Sequence, residues 1–262
     1  MSNTADRLMA SLSVVLALLI SVATPAFAER TSLPPFRVIV DDNHPPFSFG
    51  RAGGQADGVS VRIIAALLSE QDPPVSIEAM PWRRIVLMAR TTPNLVIASV
   101  MQLPERREQF IWLGSLFRDP IALYALRSRQ LTVGQPDALQ RLRIGTRRDS
   151  AGYRQLVKIG VPLSQIDVVD DPLQNLRKLQ AGRLDLITLQ PGVLAWHARQ
   201  FGIAVDSLEP VFPLLPDTDF QLAASPGSDP ALVAALRQRL AALAKSGRLD
   251  QIRRDALQNL VP

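Results

Sequence analysis

The sequence predicts an α/β protein of two lobes, each built on a parallel-rich sheet, with the chain crossing between them on two hinge strands. Three observations carry this. Short β-like runs alternate with helical patterns, the order of a sheet covered by helices. The alternation comes in two separate series, divided by a crossing strand near Ile121–Leu126. The C-terminal stretch offers one strand and two helices, too little for a core of its own, so it completes the first lobe.

In the first series, Phe36 to Val40 reads as a strand, and Val59, Ile63, Ile64, Leu67 and Leu68 recur at helical spacing. Val75 to Met80 alternates like a strand, and Trp82, Ile85, Val86 and Ala89 give a helical face. Leu95 to Val100 is an unbroken apolar run, which suits a strand buried on both faces. In the second series Arg143 to Thr146, Ile166 to Val169 and Leu184 to Leu189 are the strands. Ser150 can cap one helix, Pro172 can open the next and Gly182 can stop it. A further helix falls near Val193–Arg199. Phe220 to Ala224 is the closing strand, and Asp229-Pro230 opens a long helix with Leu232, Leu236, Leu240 and Leu243 on one side.

The N-terminus is not read as part of the fold. Arg7, the apolar run Leu12 to Val22, and Pro25 followed by Ala26-Phe27-Ala28 have the layout of a secretory signal peptide cleaved after Ala28. The run is shorter than the ~20 residues of a membrane span. The expected division is signal peptide 1–28, first part of lobe 1 29–120, lobe 2 121–213, and completion of lobe 1 214–262. The expected location is the periplasm.

There is no cysteine, which excludes disulfides, thiolate metal sites and a cysteine nucleophile. Only two histidines, His44 and His197, are present, and they lie far apart, so no metal and no cofactor is expected. The net charge of +5 is scattered rather than gathered into a stripe, which reads as a solvated basic surface and not as a nucleic-acid site.

Six stretches carry a family resemblance. They are Asp41-Asp42-Asn43-His44-Pro45-Pro46-Phe47-Ser48-Phe49, Asp57-Gly58-Val59-Ser60-Val61, "LVIASVMQLPERR" from Leu95 to Arg107, Arg143-Ile144-Gly145 with Asp149-Ser150, "LRKLQAGRLDL" from Leu176 to Leu186, and the final "LAKSGRLDQI". In this order they resemble the family 3 extracellular solute-binding proteins, the polar-amino-acid class that feeds ABC importers. The resemblance implies a periplasmic-binding-protein-like fold of type II, closing on a small solute like a hinge. It also implies a monomer that delivers the solute to an inner-membrane permease.

The resemblance implies that Arg106 binds a ligand carboxylate, for which a guanidinium offers a planar fork. Trp82 falls where the family places an aromatic wall, although core packing suits it equally. His44 stands near another such wall, Phe47 reads first as a packing residue of its turn, and Asp41 ends the first strand. Ser99 and Met101 follow the central strand, where the family has glycine and threonine. Arg147 and Ser150 lie at an expected helix start, where backbone N–H groups favour an anion. Gln190 stands where amino-acid binders have an aspartate for the ligand ammonium, which puts an ordinary α-amino acid in doubt. Trp112 and Trp196 are assigned to packing, and His197 to a helix surface.

Two competitors remain at this point. A cleft enzyme of dehydratase type needs a catalytic acid, and Asp41, Asp42, Glu105 and Asp149 form no recognisable pair. A soluble ligand sensor is the other.

Overall fold

In the computed structural model, residues 33–51, 54–69 and 74–259 are described. The expected signal peptide lies outside them.

The first sheet has the order β5-β1-β6-β13-β7. It is built from β1 (Arg37–Asp41), β5 (Ile77–Met80), β6 (Leu95–Met101), β7 (Ile111–Arg118) and β13 (Asp219–Ala224). β1 runs parallel to both β5 and β6, and β13 runs antiparallel to β6 and β7. The second sheet has the order β10-β9-β11-β8-β12. Its strands are β8 (Ile121–Leu126), β9 (Ile144–Arg147), β10 (Ile166–Val169), β11 (Leu186–Leu189) and β12 (Leu208–Leu215). Here β9, β10 and β11 are parallel, and β8 runs antiparallel to β11 and β12. Each sheet is thus three parallel strands bordered by a strand that has just arrived from the other lobe. A small third sheet joins β2 (Asn43–His44), β3 (Ser48–Gly50) and β4 (Ala56–Asp57).

Seven helices belong to the described residues: α1 (Val59–Leu67), α2 (Trp82–Ala89), α3 (Ala151–Lys158), α4 (Pro172–Gln180), α5 (Pro191–Phe201), α6 (Pro230–Lys245) and α7 (Arg248–Asn259). Their starts follow the sequence. Ser150 accepts from Tyr153 N, Asp171 from Leu173 N and Asp229 from Ala231 N, each satisfying an otherwise orphaned amide. α6 and α7 pack on each other and against α1, and α6 also lies on β7. That contact is close because position 114 is a glycine: a Cβ there would come 2.8 Å from Leu240 Cδ2.

β6 is buried along its whole length, as its apolar run requires. It extends one residue beyond the expected end, to Met101, so both Ser99 and Met101 lie within the strand and do not follow it. Ser99 takes a left-handed backbone angle (φ 61°), and the pairing of β6 with β13 is irregular alongside it. The Ser99 hydroxyl is held by that of Ser60, at the start of α1.

The chain passes between the sheets at Asp119-Pro120 and at Pro216-Asp217-Thr218. Thr218 Oγ1 donates to the Asp119 carbonyl at 2.7 Å, tying the two crossings together. Among the described residues, no helix is long and apolar enough to cross a membrane.

Candidate functional site

The carboxyl ends of the parallel strands of both sheets face one cleft, the position where open α/β sheets gather ligands. A cavity of about 430 Å³ lies there. Its lining includes Asp41, His44, Trp82, Ser99, Met101, Arg106, Arg147, Ser150 and Gln190. Phe47 is the one expected site residue outside it. This ring is buried, stacked on Phe117 with centroids 4.1 Å apart, and forms part of the wall behind His44.

Arg106 is placed by a short turn, Pro104–Arg106, directly after β6. Its guanidinium lies over the Trp82 ring, with Cζ 4.8 Å from the centroid, and Nη1 donates to Met101 O at 3.4 Å. Among the described residues no carboxylate lies within ion-pair distance of it. Burial, reinforced by the nearby Arg154 cation, lowers its pKa to about 10. A half-buried cation resting on an aromatic face keeps N–H donors that could meet a planar anion.

Polar groups of the two lobes meet around the cavity. Arg147 Nη2 approaches Asp41 Oδ2 at 3.5 Å. His44 Nε2 and Gln190 Oε1 are 3.3 Å apart. Arg154 Nε lies 3.7 Å from Glu105 Oε1 at the rim. Burial lowers the pKa of His44 to about 4, so its imidazole is neutral and Gln190 meets it as one neutral group meets another. Gln190 Nε2 also donates to the Asp119 carbonyl at 3.4 Å, which ties the cleft to the first crossing.

Asp119 is buried just behind the cleft. Its Oδ1 accepts from Gly192 N at 3.2 Å, while Oδ2 has no partner. Burial pushes this carboxyl up to about 7, and the Gly192 bond opposes that only in part. Gly192 itself sits where a Cβ would come within 2.6 Å of Phe47 Cζ.

On the second lobe Thr188 Oγ1 donates to Thr146 Oγ1 at 2.8 Å, and Thr146 and Ser150 hydroxyls lie 3.3 Å apart. Arg148 pairs with Asp170 at the exposed edge. His197 corrects the sequence expectation: it is 6% exposed and lines the cavity. It follows Val193 by four residues on α5, so both share one helix face, and that spacing was the available signal. Phe220 also lines the cavity, carried there by β13. Trp196 is buried, and the half-buried Trp112 donates its indole N–H to Arg107 O at 2.9 Å, in keeping with packing roles.

Comparisons with known proteins agree with this architecture. The model of the bacterial extracellular solute-binding proteins, family 3, matches residues 36–258. An ancestral arginine-binding protein bound to glutamine superposes with a TM-score of 0.65 at 19% identity, over 83% of this chain and 95% of that one. An ABC uptake transporter substrate-binding protein from Streptococcus pneumoniae with bound histidine gives 0.70 at 16% identity, over 84% and 91%. A histidine kinase sensor domain similar to periplasmic binding proteins gives 0.70 at 20% identity, over 86% and 98%. At these identities the likeness is one of fold: two α/β lobes. No curated protein sequence matches the chain.

Proposed function

The chain belongs to family 3 of the bacterial extracellular solute-binding proteins, and from that premise we propose that it is a periplasmic receptor of an ABC importer. Its cargo is a small polar solute bearing a carboxylate, gripped between the lobes. One observation carries this reading: the half-buried Arg106 guanidinium lies on Trp82 at the cleft and, among the described residues, has no acidic partner within ion-pair distance. A bound carboxylate would supply the missing countercharge and could use both forks of the guanidinium. The binding proteins from an ABC uptake system and of ancestral arginine-binding type, similar in fold, favour an amino-acid-like size.

In this reading residues 29–120 and 214–262 make one lobe and 121–213 the other. The chain is exported, loses its first 28 residues and works as a monomer that presents its closed form to a permease. It catalyses no reaction; turnover of prephenate by the purified protein would contradict that.

The test is thermal denaturation of the protein beginning at Glu29 against amino acids, organic acids and small peptides. A solute bound only by the folded form raises the melting temperature with its concentration. At least one carboxylate should do so, and Arg106→Ala should abolish the shift. An unchanged shift in that variant would refute the role given to Arg106.

A further inference from the structure

The cavity continues from Arg106 into the second lobe, where α4 and α5 contribute Pro172, Asn175, Val193 and His197 to its wall. This end sets the apolar Pro172 and Val193 beside polar side chains, and some of the buried polar atoms have no partner among the described residues. Asn175 Nδ2 donates to Thr146 O at 3.0 Å, but its Oδ1 has no partner. His197 is more unusual, because neither ring nitrogen meets a donor or an acceptor. Buried polar groups are ordinarily hydrogen-bonded, and an unpartnered one carries its full desolvation cost. A side chain kept in that state beside a ligand cavity has a role other than packing, since leucine would fill the space more cheaply.

We propose that His197 forms a second polar subsite of the cleft, which receives an uncharged hydrogen-bonding group, an amide or a hydroxyl, at the end of the solute far from Arg106. The proposal rests on the cleft being a solute site. A neutral imidazole offers one donor and one acceptor, which matches such a group and does not match a second carboxylate. Burial holds the His197 pKa below the usual histidine value, against the opposing pull of Asp171, so the neutral form prevails at pH 7. Both nitrogens are sealed from water in the present ring orientation. A half-turn of the ring exchanges each nitrogen with a carbon and breaks no hydrogen bond, and the proposed subsite uses that turn to offer a nitrogen to the solute. Asp170 lines the same cavity and Asp171 lies close enough to act on His197, so a second carboxylate is disfavoured at this end.

Three five-carbon probes separate the possibilities: pentanoate, glutaramate and glutarate. Each brings one carboxylate for Arg106, and their far ends are a methyl, an amide and a second carboxylate. Calorimetric titration should show glutaramate bound roughly tenfold more tightly than pentanoate, the value of about one good hydrogen bond, with glutarate weakest. His197→Leu should reduce the glutaramate-to-pentanoate ratio to about one, and His197→Gln should restore most of it. Both variants should melt no lower than the parent protein, because Leu removes an unpartnered group and Gln can find new partners. In ¹⁵N spectra the His197 ring signals should move with glutaramate and not with pentanoate. A ratio that His197→Leu leaves unchanged would overturn the subsite while the carboxylate site stands. Failure of all three probes to bind would overturn the carboxylate site, and the subsite with it.

Discussion

Arg147 of the second lobe reaches Asp41 of the first across the mouth of the cavity, Nη2 to Oδ2 at 3.5 Å. The pair is long, single-pronged and partly open to solvent, so it is a weak tether and not a lock. Arg147→Leu should cost at most about 1 kcal/mol in denaturant unfolding. Small-angle scattering without solute should show a more expanded particle for the variant, because one of the contacts holding the lobes together has gone. A variant as compact as the parent would show that the tether does not bias closure.

The half-buried cation Arg106 should trade stability for binding. Burial already lowers its pKa to about 10, so its charged form is under strain from its surroundings. Arg106→Met should keep the contact with Trp82, raise the melting temperature and abolish carboxylate binding. Arg106→Lys should recover little affinity, because an ammonium lacks the planar fork. Calorimetry and thermal melting together check the pair of outcomes.

Gly192 has no room for a methyl group. The added carbon would meet Phe47 Cζ of the other lobe at 2.6 Å and Asp119 Oδ2 at 3.1 Å. Gly192→Ala should therefore oppose closure at a cost of about 1–3 kcal/mol. Solute affinity should fall by roughly tenfold or more, while far-ultraviolet circular dichroism stays unchanged.

Asp119 and His44 should pull the pH dependence of stability in opposite directions. Asp119 is raised in the folded protein from an ordinary 3.8 to about 7. The folded state then holds the extra proton, so this contribution is full below about pH 4 and is lost as pH rises to about 7. His44 is lowered from 6.5 to about 4. There the unfolded state holds the extra proton, so stability is present above pH 6.5 and is lost as pH falls toward 4. Asp119→Asn should make stability rise with pH across this window more steeply than in the parent. His44→Gln should make it fall, by up to about 1.4 kcal/mol per pH unit. Denaturant titrations at several pH values check both signs.

Ser99 holds a left-handed angle that costs an ordinary residue about 1–2 kcal/mol, while its hydroxyl engages Ser60. Ser99→Gly should remove the strain and the bond together, leaving stability within about 1 kcal/mol of the parent. Ser99→Val should lose the bond and deepen the strain, and it should unfold at distinctly lower denaturant.

Of the strands, β6 was the plainest in the sequence, because all its side chains are buried. β12 was hidden because Pro210 and Pro213 interrupt it, and proline argues against a strand. The structure resolves the conflict by putting β12 at the sheet edge, with irregular register beside both prolines. β7 escaped notice because Gly114 and an irregular run of buried and exposed positions blur its pattern, although that glycine is what admits α6. β2, β3 and β4 are too short to show any period.

Asp41 was legible because strand ends are where ligands gather, Arg147 because it precedes a helix start, and Gln190 only through the family resemblance. His197 was not, since one histidine on an apolar helix face has the same spacing as a core residue. Phe220 was not, because its place depends on β13 returning beside β6 from more than a hundred residues away.

The hydroxyl of Thr218 pins the second crossing to the carbonyl of the first. Two connectors fastened side by side leave the halves a single pivot. Sliding or twisting them independently would first have to pull that fastening apart. In the proposed receptor, capture of a solute would then be a swing about that shared fastening, and a solute that the closed mouth fails to grip would leave by the same swing.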